Sequence, residues 1–401
     1  MSHRVISDSD FVLRAPPNPS VSNLSMNNVR LARSIVGERE AAAVAQILIG
    51  DGYLGMGAEV QRFETELAAF LGVPAGHVVC VNSGTAAVML ATQAVVAPGD
   101  EVLVQSLTFV ATFQAIQAAG AVPVSCEVLP ETATIDLADA ARRITPKTRA
   151  IMPVHYASNP GDLDAIYRFA AEHGLRVIED AAHAFGCTHR GRMIGSFGDV
   201  QCFSFDGIKN ITSGEGGAVV SADPVVLERV KDARLLGIER DTERRFAGQR
   251  SWEFDVKRPG HRCHMSNVLA AIGRVQLQRF AAEFAPERVA LARRYRELLA
   301  PLSGLALFAT DLGPIVPHLQ PVRVLGGRRD ALRAHLQAAG VETGIHYKPN
   351  HLLTLFGGGR IPLPVTEQVY GELLSLPLHP GLQPADVERV CSAVRDFFQR
   401  N

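Results

Sequence analysis

Regular alternation of short apolar runs with helical stretches is the feature that most constrains the fold of this chain. From residue 77 onward, each apolar run is short, continuous and bounded by turn residues. Strands of this kind, alternating with helices, are typical of a mostly parallel sheet covered on both faces. The predicted strands are His77–Asn82, Glu101–Gln105, Val122–Val128, Arg149–His155, Arg176–Asp180, Val200–Phe205 and Ala218–Ser221, and the helices include Thr85–Val96, Ala111–Ala119 and Asp162–His173. The sequence therefore predicts a three-layer α/β/α domain.

Beyond Ser221 the pattern changes. We expect a helix, then a polar, Arg-rich loop to about Pro259, then two long helices and a small α+β unit that begins near residue 305. Ser303-Gly304 is the best boundary signal before that unit. The helices expected here are 223–235, 266–280, 285–299, 328–339 and 386–399, with a strand over 316–324.

The domain organisation follows from these patterns. Residues 1–28 are polar and rich in Pro, Ser and Asn, which predicts a flexible N-terminal arm. We expect a large domain over residues 29–280. A linking helix and a smaller C-terminal α+β domain are expected over residues 281–401.

Charge and cysteine placement exclude several classes of function. The formal net charge is −1, which gives no support for binding nucleic acid or anionic membranes. No apolar run reaches the roughly 18 residues of a membrane span, and the N-terminus lacks a signal-peptide core. The six cysteines lack metal-site or disulfide spacing and predict buried thiols in a reducing cytosol. We expect a cytoplasmic protein without a metal.

Lys209 lies in a glycine-flanked loop between two apolar strands. Burial there would lower the pKa of its amine and make it a usable nucleophile toward a carbonyl group. The alternative is an ordinary solvated lysine.

Polar residues follow the ends of other predicted strands, where ligands bind in open α/β sheets. Gly84-Thr85 opens a helix and could bind phosphate, or could be an ordinary helix start. Phe109 could stack on a flat ring or belong to the core, and Asp180 could hold a ring nitrogen or cap a helix. Ser204 ends a strand five residues before Lys209.

Together these residues offer a phosphate site, a stacking ring, a carboxylate and an amine. Those are the groups that a pyridoxal phosphate site requires. Each signal is weak alone, but their order on successive strand ends favours this cofactor.

The same residues carry a resemblance to a known family. From about Ala32 to Phe398 the chain resembles the DegT/DnrJ/EryC1/StrS sugar aminotransferases, of the fold-type I superfamily of pyridoxal phosphate enzymes. The motifs are Ser83-Gly84-Thr85-Ala86-Ala87, Thr108-Phe109-Val110-Ala111-Thr112, Ile178-Glu179-Asp180-Ala181-Ala182-His183, Cys202-Phe203-Ser204-Phe205, Gly214-Glu215-Gly216-Gly217, Met265-Ser266-Asn267 and Leu374-Ser375-Leu376-Pro377.

The resemblance implies a role for each matching residue. Lys209 would carry pyridoxal 5'-phosphate covalently and act as acid and base, with pyridoxamine 5'-phosphate as the form between half-reactions. Asp180 would pair with the ring nitrogen, and His183 would lie near the ring hydroxyl. The remaining implied cofactor residues are Phe109 for stacking and Gly84, Thr85 and Ser204 for phosphate.

Two further implications concern a partner and the substrate. Asn267 would reach the phosphate of a neighbouring subunit, which implies a homodimer with shared sites; it could instead be a buried helix-start asparagine. His346, Tyr347 and Lys348 resemble the family's variable substrate segment, although a structural role is equally compatible with the sequence.

Three segments depart from the family pattern. Gly260-His261-Arg262-Cys263-His264 replaces the common Gly-Tyr-Asn-Tyr-Arg, Gln105 stands where proline is frequent, and Asp206-Gly207-Ile208 precedes Lys209 in place of His-Pro-type residues. None of these departures removes a cofactor-binding group.

The resemblance implies transfer of an amino group from an amino acid, usually glutamate, to a 3-keto or 4-keto 6-deoxyhexose nucleotide. The product would serve polysaccharide or antibiotic biosynthesis. A keto-cyclitol acceptor, a sugar dehydratase and a non-catalytic regulatory protein are the alternatives. Dehydratase relatives carry histidine in place of the lysine, so Lys209 argues against that activity.

Overall fold

The structure is a computed structural model that describes residues 28–50, 52–249, 253–300 and 302–400. The predicted arm lies outside these ranges except for Asn28, and so does part of the predicted Arg-rich loop. The division of the remainder into domains at residue 280 stays a prediction.

The strands predicted between residues 77 and 221 lie close to the positions that the apolar runs indicate, whereas the strand predicted over 316–324 begins only at Gln320. The strand predicted over Arg149–His155 ends at Met152, because Pro153 follows and has no N–H for the ladder. In chain order the strands are β1 (Val78–Val81), β2 (Glu101–Gln105), β3 (Val122–Cys126), β4 (Thr148–Met152), β5 (Arg176–Asp180), β6 (Thr188–His189), β7 (Arg192–Met193), β8 (Val200–Ser204), β9 (Gly217–Ser221), β10 (Leu305–Leu307), β11 (Gln320–Val324) and β12 (Leu373–Leu376).

Several helices begin at polar residues that favour helix starts. Ser83, Asp162 and Asp223 each accept a hydrogen bond from a backbone N–H in the first turn of the helix that follows. The helices are α1 (Glu38–Ile49), α2 (Ala58–Leu71), α3 (Gly84–Val95), α4 (Val110–Ala118), α5 (Leu137–Arg142), α6 (Leu163–His173), α7 (Pro224–Ala233), α8 (Asp241–Phe246), α9 (Asn267–Arg279), α10 (Ala285–Leu299), α11 (Arg329–Ala338), α12 (Pro364–Glu372) and α13 (Pro384–Arg400).

Helix α8 corrects the sequence prediction of a continuous loop up to Pro259. Its first turn holds Asp241 and Glu243, and its last turn holds Arg244 and Arg245. This charge order favours the helix dipole without producing an apolar stripe, so periodicity alone does not reveal the helix.

Seven strands form one sheet in the order β1-β9-β8-β5-β4-β2-β3. Only β9 runs against its neighbours, β1 and β8. The remaining strands therefore share one direction, and their carboxyl ends meet at one edge of the sheet. The fold is the predicted three-layer α/β class.

Both faces of the sheet are buried. In β1, Val78 and Cys80 pack into one apolar core, whereas Val79 and Val81 pack into the other. This arrangement explains why the strands read as continuous apolar runs in the sequence.

The C-terminal region has its own antiparallel sheet, β10-β11-β12. Helices α10, α11 and α13 contribute Tyr295, Leu336 and Val390 to a separate apolar core against this sheet. Within the described ranges, every helix is too short or too polar to cross a membrane.

Candidate active site

A cavity of about 440 Å³ lies at the carboxyl edge of the seven-stranded sheet. The turns that follow β1, β2, β5 and β8 all reach it, since these strands run in one direction. Its walls include Gly84, Thr85, Phe109, Thr112, Asp180, His183, Ser204, Asp206, Lys209, Glu215, His346 and Tyr347.

Asp180 ends β5 and is buried. Its Oδ2 accepts a hydrogen bond from Thr112 Oγ1 at 2.8 Å, and its Oδ1 accepts one from the backbone N–H of Ala182 at 3.2 Å. Thr112 Oγ1 also lies 2.9 Å from Thr108 Oγ1. These contacts fix the orientation of a buried carboxylate at the cavity wall.

The start of α3, at Ser83, Gly84 and Thr85, forms a concave surface beside Ser204, which we call the cradle. Ser83 caps the helix by accepting from the N–H of Ala86, at 3.1 Å. A Cβ added to Gly84 would lie 2.6 Å from the Ser204 Cβ and 2.8 Å from its Oγ, so only glycine fits. The N–H groups of a helix start beside a serine hydroxyl suit an anionic phosphate.

Lys209 follows a turn in which its N–H donates to the Asp206 carbonyl at 3.1 Å. Burial lowers the pKa of its amine from 10.5 to about 8, although the carboxylates of Asp180 and Asp206 oppose the change and Arg288 reinforces it. A larger fraction of the amine is therefore neutral and nucleophilic near neutral pH than for an ordinary lysine.

His183 and two aromatic rings form another wall of the cavity. The Nε2 of buried His183 lies 3.2 Å from the Tyr347 hydroxyl, and the Tyr347 ring lies 5.3 Å from that of Phe109. The Phe109 ring is 53% exposed, so it is not a core residue and can meet a ligand. Burial, with the Lys209 charge, holds the pKa of His183 well below its usual range.

Two predicted site residues do not line the cavity in this chain. Lys348 is exposed and lies outside the wall, although His346 and Tyr347 belong to it. Asn267 is buried, and its side chain accepts from Gly57 N–H at 3.1 Å and donates to the Tyr53 carbonyl at 2.9 Å. The roles predicted for Lys348 and Asn267 stay predictions.

The sequence reasoning assigned no role to several residues that the structure brings to the site. Thr112 orients Asp180, and Asp206 and Glu215 add negative charge to the cavity wall. His318 lies beside His183, with their ring centroids 4.5 Å apart. Thr112 ends the Thr108–Thr112 motif of the family resemblance, but that motif does not reveal its hydrogen bond to Asp180.

The residues present fit pyridoxal phosphate. The cradle at Gly84 is kept open by the missing side chain, the oriented Asp180 carboxylate suits a protonated ring nitrogen, and Lys209 faces the same cavity. Among the described residues, no group of three or more His, Cys, Asp or Glu side chains is arranged to hold a metal ion.

A lysine, a carboxylate and a phosphate cradle at one edge of this sheet define a pyridoxal phosphate-dependent transferase of fold type I. Residues 34–395 match the model of the DegT/DnrJ/EryC1/StrS aminotransferase family. The chain belongs to this family and is a pyridoxal phosphate-dependent aminotransferase.

Two curated relatives are similar over nearly the whole chain. The dTDP-3-amino-3,4,6-trideoxy-alpha-D-glucose transaminase of Streptomyces venezuelae is 39% identical, with 90% of this chain and 92% of the relative covered. The dTDP-4-dehydro-2,3,6-trideoxy-D-glucose 4-aminotransferase of Saccharopolyspora spinosa is 35% identical, with coverages of 93% and 96%.

A solved structure agrees with these matches. The aminotransferase TlmJ from Streptoalloteichus hindustanus superposes with a TM-score of 0.85 at 35% identity, over 93% of this chain and 99% of TlmJ.

Proposed function

We propose that this aminotransferase transfers an amino group from an amino acid, preferably L-glutamate, to a keto-deoxysugar nucleotide, and so makes an amino-sugar nucleotide. The observation that carries the chemistry is Lys209, a lysine of lowered pKa in the same cavity as Asp180 and the Gly84 cradle. The sugar class is supported by the two transaminases of dTDP-sugars that resemble the chain over nearly its full length.

Pyridoxal phosphate, when bound, supplies an electron sink for the charge that develops as the α-proton leaves the amino donor. Lys209 Nζ would hold the cofactor, and its neutral amine would serve as the base that takes this proton. With a pKa of about 8, the Lys209 amine is neutral in about a tenth of molecules at pH 7.

Asp180 would keep the ring nitrogen protonated, and Thr112 holds the Asp180 carboxylate in place for that contact. Gly84, Thr85 and Ser204 would bind the phosphate, and Phe109 would stack on the ring. His183 would lie at the ring hydroxyl, held by its contact with Tyr347.

We also propose that the active unit is a homodimer. Lys209 is the only cationic Lys or Arg in the cavity wall that the described residues form, and Asp206 and Glu215 add negative charge. Glutamate and a sugar diphosphate are anions that require cationic partners. A second copy of the chain, which the Asn267 prediction also implies, would supply them.

Light scattering on the holoenzyme should give twice the chain mass of 43.1 kDa. The dimer should persist at the concentrations used for assays, because the shared site requires it. A fully active monomer would rule out the shared site.

The function is tested with purified enzyme, glutamate and a panel of 3-keto and 4-keto deoxysugar nucleotides. We expect an amino-sugar nucleotide from one of them, with equal release of 2-oxoglutarate. Turnover only with keto-inositols would favour the cyclitol alternative, and loss of water from the sugar without amino transfer would favour the dehydratase.

Lys209→Ala and Lys209→Arg should abolish both turnover and the visible absorption of the covalently bound cofactor. Lys147→Ala is the matched control, since Lys147 is exposed just before β4, a strand that runs from there toward the site. Wild-type turnover in either Lys209 variant would contradict the assignment.

A cytoplasmic location remains a prediction.

A further inference from the structure

Arg288 lies on α10 and is buried behind Lys209. Among the described residues, no carboxylate forms an ion pair with it, and its Nε has no hydrogen-bond partner. Burial lowers the pKa of its guanidinium to about 10, so it is still charged at neutral pH. An uncompensated buried charge is costly.

The guanidinium of Arg288 lies among backbone carbonyl groups from three separate segments. Its Nη2 donates to the Lys209 carbonyl at 3.5 Å. Its Nη1 is 3.4 Å from the carbonyls of Pro317 and His318 and 3.5 Å from that of Leu378. One side chain thus joins the Lys209 loop to the segment before β11 and to the segment after β12.

The other fully buried arginine shows what a purely structural arginine looks like in this chain. Arg234 donates to Glu64 Oε1 at 2.6 Å and to the Cys80 carbonyl at 2.6 Å. Its charge is neutralised by the carboxylate. Arg288 makes only long contacts with neutral carbonyls, so its positive field extends to its neighbours.

Lys209 is the neighbour on which that field matters. The carboxylates of Asp180 and Asp206 favour its charged ammonium form, and Arg288 opposes them. The other titratable groups that face Lys209 are His183, His318 and His346, and burial lowers the pKa of each imidazole, so none adds charge at neutral pH.

We propose that Arg288 is a positioning residue for Lys209: its guanidinium holds the Lys209 main chain, and its charge increases the fraction of the amine that is neutral and nucleophilic. Arg288 itself does not line the cavity. Its effect on the reaction passes entirely through Lys209.

The direction of the effect can be measured on the full-length apoenzyme. Acetic anhydride labels only the neutral amine, and mass spectrometry of the Lys209 peptide gives the labelling rate against pH. Arg288→Gln removes the cation, so the pKa of Lys209 should rise, and labelling below that pKa should slow by about twofold or more.

Two further variants separate the charge from packing. Arg288→Lys retains a cation and should leave the Lys209 labelling curve at the wild-type position, while the lost Lys209 carbonyl contact lowers kcat. Arg294→Gln, on the same helix but exposed and paired with Glu388, should change neither.

Circular dichroism first establishes that each variant is folded. A folded Arg288→Gln enzyme with the wild-type labelling curve would overturn the proposal. If Arg288→Gln does not fold, Arg288→Met supplies a second neutral variant of similar length: a curve displaced to higher pH supports the role of the charge, and the wild-type curve refutes it.

Discussion

At the scale of single residues, Gly84 shows how tightly the cradle at the start of α3 is built. Ser204 approaches so closely that a methyl group on Gly84 would overlap it. Gly84 therefore both leaves this space open and contributes a free backbone N–H group at the helix start. The sequence predicts Gly84 as a phosphate-binding residue because a glycine that opens a helix after a strand is a local signal.

Gly84→Ala should weaken binding of pyridoxal phosphate by about 5- to 150-fold, since overpacking of this kind costs about 1–3 kcal/mol. Titration of the apoenzyme with the cofactor measures the change. Gly371→Ala is the control, because nothing lies within 4 Å of the added Cβ in α12 and affinity should stay at the wild-type value. Equal cofactor affinities in both variants would contradict the role of Gly84 in binding the phosphate.

Other residues of the site could not be found in the same way. The role of Thr112 depends on a hydrogen bond to Asp180, which lies 68 positions further along the chain. Lys348 follows His346 and Tyr347 in the sequence, yet it is exposed and does not line the cavity that they line. Sequence adjacency in an irregular segment does not determine which side chains face a ligand.

At the scale of elements, the core of the sheet was predictable because burial on both faces leaves continuous apolar runs. The predicted bounds of β2 and β5 agree with the structure, and those of α3 differ by one residue at each end. Helix α8 was missed because its support is charge order and not periodicity. Local sequence patterns also do not reveal which buried polar contacts connect one element to another.

Glu64 joins three elements: it lies on α2, accepts from the backbone of β1 and pairs with Arg234 just after α7. Glu64→Gln leaves the buried guanidinium of Arg234 without a compensating charge. We expect the free energy of unfolding to fall by about 3 kcal/mol.

Urea denaturation measures that change. The control is Glu297→Gln, since Glu297 and Arg294 form an exposed pair that should contribute less than about 1 kcal/mol. Similar losses of unfolding free energy in the two variants would contradict the claim that the buried ion pair stabilises the fold more than the exposed one.

At the scale of the whole molecule, folding buries several histidines in their neutral form. The pKa values of His183 and His318 lie well below 6.5, and those of His264, His346 and His379 fall to about 4, in each case mainly because burial disfavours the charged ring. The unfolded chain therefore binds more protons than the folded chain between pH 6.5 and 4.

The stabilisation from these neutral histidines should therefore be fully present above pH 6.5, and the free energy of unfolding should fall as the pH drops from 6.5 toward 4. Each buried histidine contributes a slope of up to about 1.4 kcal/mol per pH unit. Denaturation at several pH values measures the slope, and His318→Gln should reduce it. The exposed His173→Gln is the control, and stability that is flat or rises on acidification would contradict the prediction.

By itself, the sequence determined the α/β class and the family, and it predicted the lysine, the carboxylate and the phosphate cradle. All of these rest on local patterns, because apolar periodicity and strand-end motifs involve residues close together in the chain. Only the tertiary structure decided that β9 enters the sheet antiparallel, that Thr112 orients Asp180, that Lys348 lies outside the cavity, and that an unpaired Arg288 lies behind Lys209. Each of these depends on contacts between distant segments, whose geometry is set by packing of the whole chain and leaves no trace in the local sequence.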